Sequence, residues 1–194
     1  MRVVGGSLKG RALKGPGSNA IRPTSDRLRE TVFNILAHSY DNPVAGARVI
    51  DLFAGTGAMA IEALSRGAAF ALLVDQGAQA CAIIRANFAA LHLGGAARIL
   101  RRDARKLGPA PEGESFSLAF LDPPYRKGLV RPTLKALSNG GWLGGGALAV
   151  IEERAGAEFA LPDGFVLRET RRCGVTQVVF ACLQLIPSLD DHDR

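Results

Sequence analysis

The chain lacks several features that would indicate other classes of protein. Its three cysteines (Cys81, Cys173 and Cys182) are far apart and show no metal-ligand spacing, which favours reduced thiols in a cytoplasmic protein. The three histidines are scattered, so neither a histidine-based triad nor a zinc site is expected. No apolar run approaches the roughly 20 residues of a membrane span, and no signal-peptide pattern opens the sequence. We therefore expect a cytoplasmic protein with no metal and no membrane contact.

Positive charge is concentrated at the beginning of the chain. The net charge is +6 over 194 residues, and residues 1–29 hold seven basic side chains against one acidic one. The remaining residues carry 17 charges of each sign and are neutral overall. A basic arm on a neutral body is typical of nucleic-acid binding, although a solvated terminal face has the same composition. The predicted RNA contacts are Arg2, Lys9, Arg11, Lys14 and Arg22.

Apolar strands alternate with helical patterns from residue 47 onward, which predicts an α/β fold of parallel strands with helices on both faces. Two further strands, Phe165–Glu169 and Val175–Leu185, are expected to form an antiparallel edge hairpin that turns near Gly174. The other predicted strands are Arg48–Phe53, Phe70–Asp75, Arg98–Leu100, Ser117–Leu121 and Ala147–Glu152, and the predicted helices between them are Ala58–Arg66, Gln76–Leu91 and Leu129–Leu137.

The first part of the chain has a different pattern. Val3-Val4 and Arg11–Leu13 are short apolar pieces separated by glycines, which favours a small β-hairpin. A helix then follows Pro23, with Thr24 or Ser25 as its cap. Its apolar face is predicted to comprise Leu28, Val32, Ile35 and Leu36, with Arg22, Arg27 and Arg29 outside that face. We expect residues 1–23 to form an RNA-contacting extension, residues 24–186 the main domain and residues 187–194 a flexible tail.

The chain is organised around the segment from Asp51 to Gly57, where a strand meets a glycine turn and a helix. The turn fits G-x-G-x-x-A, and Asp75 lies 18 residues after Gly57. This pattern alone would also fit a dinucleotide site. A carboxylate at position 51 favours a cationic ligand, because it would repel a pyrophosphate at close range. S-adenosylmethionine, which has an ammonium and a sulfonium and no phosphate, fits this requirement.

Three acidic residues are placed at consecutive strand ends, where open α/β sheets bind ligands. Asp51 is expected to face the cationic part of the cofactor, Asp75 to accept the ribose hydroxyls and Asp103 to accept from the adenine amine. A structural role as helix caps is the alternative for each acid taken separately. The predicted cofactor-binding residues are Thr24, Asp51, Phe53, Gly55, Gly57, Asp75, Gln76 and Asp103.

A second motif, Asp122-Pro123-Pro124-Tyr125, follows an apolar strand. Two consecutive prolines remove two N–H donors, so the acceptors that remain suit a donor-only group such as an exocyclic amine. Acceptors on the amine N–H groups would hold the nitrogen toward tetrahedral geometry and stabilise positive charge that develops on it. Tyr125 could stack on the base. The four residues are the predicted catalytic set, and a rigid turn with a core tyrosine is the alternative.

Together the two motifs resemble those of class I, S-adenosylmethionine-dependent N-methyltransferases. Further segments look like the RsmD-type 16S ribosomal RNA guanine-N2 methyltransferases, and the resemblance spans nearly the whole chain. It implies the Rossmann-like seven-stranded methyltransferase sheet, an N-terminal RNA-contacting hairpin and methylation of a guanine amine in 16S rRNA or a small-subunit assembly intermediate. The segments are Met1–Gly6, Arg22–Glu30, Phe33–Leu36, Glu62–Ala68 and Gly140–Leu143.

The sequence leaves other functions open. The segment Gln76-Gly77-Ala78 departs from the charged residues that are more usual in this family, and residues 186–194 extend beyond the last expected strand. A DNA adenine or cytosine amine methyltransferase would use the same Asp-Pro-Pro-Tyr motif, but it usually carries a target-recognition insert that is not visible here. An NAD-dependent oxidoreductase would have no use for that motif. A non-catalytic RNA-binding factor would not need it intact. No obligate protein partner is indicated.

Overall fold

The computed structural model describes residues 1–15 and 25–184. Within them, short 3₁₀ turns at Gly94–Ala96 and Ala104–Lys106 flank the third strand. The helices are α1 (Asp26–Ser39), α2 (Ala58–Ser65), α3 (Ala78–Ala90) and α4 (Val130–Asn139); the strands are β1 (Arg48–Leu52), β2 (Phe70–Asp75), β3 (Ala97–Arg101), β4 (Phe116–Leu121), β5 (Leu143–Arg154), β6 (Phe165–Cys173) and β7 (Thr176–Leu183).

Seven strands form one sheet in the order β3-β2-β1-β4-β5-β7-β6. The first five pair in parallel, and β7 pairs antiparallel with both β5 and β6. The direction of strand order reverses between β1 and β4, and a crevice at such a point is where open α/β sheets bind ligands. The predicted α/β sheet with an antiparallel C-terminal hairpin is confirmed.

The strands are buried on both faces because alternate residues belong to two different cores. Val49 of β1 and Phe120 of β4 face a core that includes residues of α1, α2 and α3. Ile50 and Leu121 face the opposite core, which includes apolar residues of α4. Since side chains alternate along a strand, a continuous apolar run supplies both cores at once.

Two strands extend four residues beyond one end of their predicted range. β5 begins at Leu143 rather than Ala147, and its register with β4 shifts between Phe116 and Leu118, so the glycine-rich start of β5 contains an irregularity. β6 continues through Cys173 rather than ending at Glu169. It is an edge strand and most of it is exposed, so charged residues replace the apolar alternation on which the prediction relied.

The N-terminal segment forms the predicted small hairpin. Arg2 bridges Ala12 in an antiparallel manner, and Val3 donates its N–H to the Arg11 carbonyl at 3.0 Å. This segment also packs on the body of the protein, since Val3 and Leu13 belong to the core on the α1–α3 face. Its backbone is held by three polar side chains of the body, namely Glu62, Ser65 and Asn87.

Arg29 corrects one prediction, because it is fully buried rather than outside the apolar face of α1. Its guanidinium pairs with Asp26 at 2.8 Å and with buried Glu62 at 3.4 Å, and it donates to the Arg2 carbonyl at 2.5 Å. Glu62 in turn pairs with Arg66 at 2.8 Å and accepts the Val4 N–H at 2.9 Å. The Arg29 charge therefore joins the arm, α1 and α2, and it is not available to RNA.

Several predictions concern residues outside the described ranges. These are the roles of Arg22 and Thr24 and the flexible tail at residues 187–194, and the division into residues 1–23 and 24–186 remains an expectation. Ser25 caps α1 by accepting the Leu28 N–H at 3.1 Å, as predicted. Among residues 1–15 and 25–184, every helix falls short of the length and hydrophobicity of a membrane span, and no group of side chains is arranged to bind a metal ion.

The buried ion pair generates a prediction about stability. Replacing Arg29 with methionine should lower the free energy of unfolding by about 3 kcal/mol, because Glu62 then loses one of its two cationic partners in a dry site. Urea denaturation followed by circular dichroism would measure the change. Arg27→Met on the same helix is the matched control: Arg27 is exposed, so its loss should change stability by about 0.5 kcal/mol or less. Equal effects of the two substitutions would show that the buried network does not stabilise the fold.

Candidate active site

One large cavity lies at the carboxyl ends of the parallel strands, with a volume of about 1220 Å³. Its wall includes residues of α1, the glycine turn after β1, the ends of β2 and β3, the Asp-Pro-Pro-Tyr segment and the β6–β7 turn. Most of the predicted site residues are therefore brought together. They are Asp51, Phe53, Gly55, Asp75, Gln76, Asp103, Asp122, Pro123, Pro124 and Tyr125.

Asp51 is the most buried acid in this wall, with 3% of its surface exposed. Its Oδ2 accepts the N–H of Ala60, in the first turn of α2, at 3.1 Å. Burial raises the pKa of Asp51 to about 7, and the negative charge of Asp75 adds to the shift while the Ala60 N–H opposes it. A carboxylate in this environment needs a positive charge beside it, which is the property predicted for the cofactor site.

The turn after β1 has an unusual backbone. Phe53 has φ +61° and Gly55 has φ +56°, so a bulky residue adopts the left-handed conformation that normally favours glycine. Such strain is kept where the surroundings require it, and both residues face the cavity. Gly57 also has positive φ (+78°), but it does not line the cavity; a Cβ there would lie 3.0 Å from Leu73 Cδ2. Its contribution here is close packing of the turn on β2, and its predicted cofactor contact remains a prediction.

Asp75 holds the glycine turn in place. Its two carboxylate oxygens accept the N–H of Gly55 at 2.9 Å and the N–H of Gly77 at 2.7 Å. Each carboxylate oxygen can accept more than one hydrogen bond, so these contacts leave acceptor capacity for ribose hydroxyls. Gln76 is exposed and lies on the cavity wall beside it.

Asp103 also lies in the cavity wall, and its carboxylate pairs with the positively charged side chain of Arg105. It caps the 3₁₀ turn by accepting the Arg105 N–H at 2.9 Å, and its carboxylate pairs with the Arg105 guanidinium at 2.6 Å. These hydrogen bonds lower the pKa of Asp103. The carboxylate is therefore ionised at neutral pH and can accept hydrogen bonds; its contact with the adenine amine remains a prediction.

The Asp-Pro-Pro-Tyr segment follows β4 directly. The Asp122 N–H donates to the Leu52 carbonyl at 3.4 Å, which fixes the start of the segment beside β1. Tyr125 does not point into the apolar core; it lines the cavity, and its hydroxyl donates to Glu152 Oε1 at 2.5 Å and lies 3.1 Å from Thr176 Oγ1. Burial and the Glu152 carboxylate raise the pKa of Tyr125, so the ring stays neutral. Its hydroxyl thus fixes the ring at the wall.

The structure adds residues that the sequence analysis missed. Glu152, Arg172 and Thr176 line the same cavity around Tyr125. A signal for Glu152 was present, since an acid follows the apolar run at Ala149–Ile151 just as Asp75 and Asp122 follow theirs. Arg172 and Thr176 could not be found this way, because they reach the cavity through the β6–β7 turn, whose position depends on the order of the strands.

The hairpin at residues 1–15, which carries four of the predicted RNA contacts, contributes no residue to the cavity wall. Arg2, Lys9, Arg11 and Lys14 are all exposed, and Arg11 Nη2 donates to the Ala90 carbonyl at 3.3 Å. The arm is nevertheless linked to the cofactor turn. Asn87 Oδ1 accepts the Lys14 N–H at 2.7 Å, and Asn87 Nδ2 donates to the carbonyls of Lys14 and Thr56 at 3.1 and 3.0 Å.

The strand order and the acid-lined cavity define the class of the protein: an α/β methyltransferase with the fold predicted above. The buried carboxylate of Asp51 and the acceptors at Asp75 and Asp103 suit the cation, ribose and adenine amine of S-adenosylmethionine. The chain belongs to the family described as Conserved hypothetical protein 95, whose pattern matches residues 1–182.

Individual relatives agree with this membership. The chain is 40% identical over 152 residues to "Ribosomal RNA small subunit methyltransferase D" of Escherichia coli K12, covering 78% of this chain and 74% of the relative. A protein of the same name from Buchnera aphidicola (subsp. Acyrthosiphon pisum) is 30% identical over 165 residues, which are 85% of this chain and 84% of the relative. The solved structure of yhhF from E. coli superposes with a TM-score of 0.81 at 32% identity, covering 95% of this chain and 98% of that one. The predicted enzyme class, a methyltransferase, is confirmed.

Asp51 generates a prediction about the pH dependence of cofactor binding. Its raised pKa means that the free protein holds a proton there below about pH 7, whereas a bound cation favours the carboxylate. Binding therefore releases a proton, and the affinity for S-adenosylmethionine should fall by up to about tenfold per pH unit below 7. Calorimetry between about pH 7.5 and 5.5, in buffers of different ionisation enthalpy, would measure both the affinity and the proton.

Two variants control this experiment. Asp51→Asn should bind more weakly and lose most of the pH dependence. Asp103→Asn should also bind more weakly but keep the pH dependence, because the pKa of Asp103 is already lowered by Arg105. Unchanged affinity of the native protein across this pH range would contradict the assignment of the cation to Asp51.

Proposed function

We propose that this protein methylates the exocyclic N2 amine of a guanine in 16S ribosomal RNA. The observation that carries the proposal is the acceptor-rich, donor-poor corner formed by Asp122 and the two prolines in the same cavity as the cofactor residues. Support for the substrate class comes from the relatives whose names specify small-subunit rRNA methylation. The substrate is rRNA in the small subunit or in an assembly intermediate, and the enzyme acts in the cytoplasm.

The corner after β4 is suited to hold an amine. When bound, S-adenosylmethionine supplies a methyl group attached to a positively charged sulfur. The amine of a nucleobase is a weak nucleophile, because its lone pair is delocalised into the ring. The carboxylate of Asp122 and the carbonyls of Asp122 and Pro123 can accept its N–H groups and hold the nitrogen away from planarity. The same acceptors stabilise positive charge on that nitrogen during transfer.

Tyr125 and Asp122 have two further roles in the proposed reaction, stacking on the base and taking up the proton. The Tyr125 ring, anchored through its hydroxyl, offers a face on which the base can stack. No strong base is needed before transfer, since the proton becomes acidic only when the nitrogen has gained its fourth bond. Asp122 lies where it can take up that proton afterwards.

The basic arm supplies the second part of substrate binding. Exposed lysine and arginine side chains contact phosphates without reading sequence, and they raise the local concentration of RNA. The target base must leave its stack to reach the cavity, so the two regions act on different parts of the same RNA.

An amine methyltransferase of DNA is the alternative, because adenine N6 or cytosine N4 could be held in the same way. The direct test uses small subunits from a strain that lacks this protein. Nucleoside mass spectrometry and primer extension on their rRNA should show the loss of one N2-methylguanosine. Purified enzyme should restore it. Transfer to stripped DNA but not to those subunits would overturn the proposal in favour of the alternative.

Substitution of Asp122 tests the catalytic corner. Asp122→Ala should lower methyl transfer to unmodified subunits by at least about tenfold, because one acceptor for the developing charge is lost. Affinity for S-adenosylmethionine should stay within a few-fold, since the cofactor residues are intact. A filter assay with labelled methyl groups and calorimetry would measure the two quantities. An unchanged transfer rate would refute the role of Asp122.

Neutralising the arm tests RNA binding. Replacing Lys9, Arg11 and Lys14 with glutamine should weaken RNA binding and lower the slope of log affinity against log salt by about one unit per lost phosphate contact. Fluorescence anisotropy at several salt concentrations would give the slope. The matched control replaces three exposed basic residues outside the cavity wall and the arm, namely Lys106, Arg131 and Lys135. Equal slopes for the two triple variants would mean that the arm has no special contact with RNA.

A further inference from the structure

We propose that Glu152 is a specificity-determining residue that selects guanine by accepting the N1–H of the target base. The inference rests on the proposed function and gives that site its preference among nucleobases. Glu152 is half-buried and lines the cavity together with Asp122 and Tyr125.

Strand register brings the backbones of Asp122 and Glu152 close together. Leu121, the last residue of β4, pairs with Ile151 of β5. Asp122 follows β4 directly, and Glu152 is the next residue of β5. Neighbouring strands lie about 5 Å apart. Both side chains line the cavity, so one carboxylate can accept from the amine of a bound base while the other accepts from the ring N–H next to that amine.

The edges of the nucleobases differ in the hydrogen next to the amine. Guanine presents the N2 amine and then N1–H, so both neighbouring positions donate. Adenine and cytosine present their amines next to a ring nitrogen that carries a lone pair and no hydrogen. A carboxylate accepts from N1–H of guanine, whereas it repels the lone pair of adenine N1 or cytosine N3. The pair of Asp122 and Glu152 therefore fits guanine and disfavours the other two amines.

Glu152 is held in an orientation that serves this purpose. Its strand continues beyond the end of β4 because β7 pairs with it there, with Glu152 opposite Val178. The Tyr125 hydroxyl donates to Glu152 Oε1 at 2.5 Å, and Tyr125 is also tied to Thr176 of β7 at 3.1 Å. The carboxylate thus stands on a paired strand, and the tyrosine proposed to stack on the base fixes its direction.

The test uses an RNA in which the target guanine, located by mass spectrometry, is replaced by 2-aminopurine. This base keeps the amine to be methylated, but its N1 carries a lone pair instead of a hydrogen. The native enzyme should prefer guanine in kcat/KM by at least about 100-fold, because a site built for a donor rejects the analogue that lacks it. Glu152→Gln should reduce this preference at least about tenfold, since an amide can donate to the ring nitrogen. 2-Aminopurine also lacks the O6 of guanine. That difference affects the native enzyme and the Glu152→Gln variant alike, so it does not change the comparison between them.

Two further variants separate selection from mere support of Tyr125. Thr176→Val removes a second contact of the Tyr125 hydroxyl and should leave the preference unchanged, even if both rates fall. Glu152→Asp keeps the carboxylate and should retain the preference for guanine. If Glu152→Gln lowers transfer to both bases equally, Glu152 only positions Tyr125 and the inference is wrong while guanine methylation stands. If the native enzyme transfers no methyl group to the guanine RNA, the proposed function fails and the inference falls with it.

Discussion

A negative charge removed from water is the constraint on which the site depends. Asp51 lies inside the fold, where its carboxylate accepts one N–H from α2, and the charge of Asp75 opposes its ionisation. Burying an unpaired carboxylate is costly, and the protein accepts this cost at the place where strand order reverses and a ligand can enter. The left-handed backbone of Phe53 is a second local cost in the same turn. A bound cationic cofactor would offset the charge of Asp51, so both costs fall where that cofactor is predicted to bind.

Much of the fold could be predicted from the sequence because its signals are local. The parallel strands are short apolar runs that end in acids, and Phe70–Asp75 was predicted with the bounds that the structure has. Asp51, Asp75, Asp103 and Asp122 converge for the same reason: parallel strands present their carboxyl ends at one edge of the sheet. The turn at Gly174 was also visible, since a two-residue hairpin turn with positive φ at its first position favours glycine.

What could not be predicted depends on contacts between distant segments. Arg29 has the composition of a surface residue, and only the packing of α1 against α2 and the arm surrounds it with Asp26 and Glu62. The β6 strand has charges on both faces because it lies at the edge of the sheet, and a pattern of alternation cannot indicate that position. Gly57 was assigned to the ligand by its motif, yet in the structure its missing side chain makes room for Leu73. A sequence motif therefore indicates which residues are important, whereas their contacts depend on segments that are distant in the chain.

The amide of Asn87 has a consequence for how the protein could be dissected. It accepts the Lys14 N–H and donates to the carbonyls of Lys14 and Thr56, while Ser65 and Glu62 accept the N–H groups of Leu8 and Val4. Deleting the first 14 residues would therefore remove hydrogen-bond partners from the side chains of Asn87, Ser65 and Glu62. The resulting loss would be a large fraction of the free energy of unfolding of a small domain. The arm and the cofactor turn thus share one hydrogen-bond network, so we expect the arm to be an integral part of the fold and not a separable module.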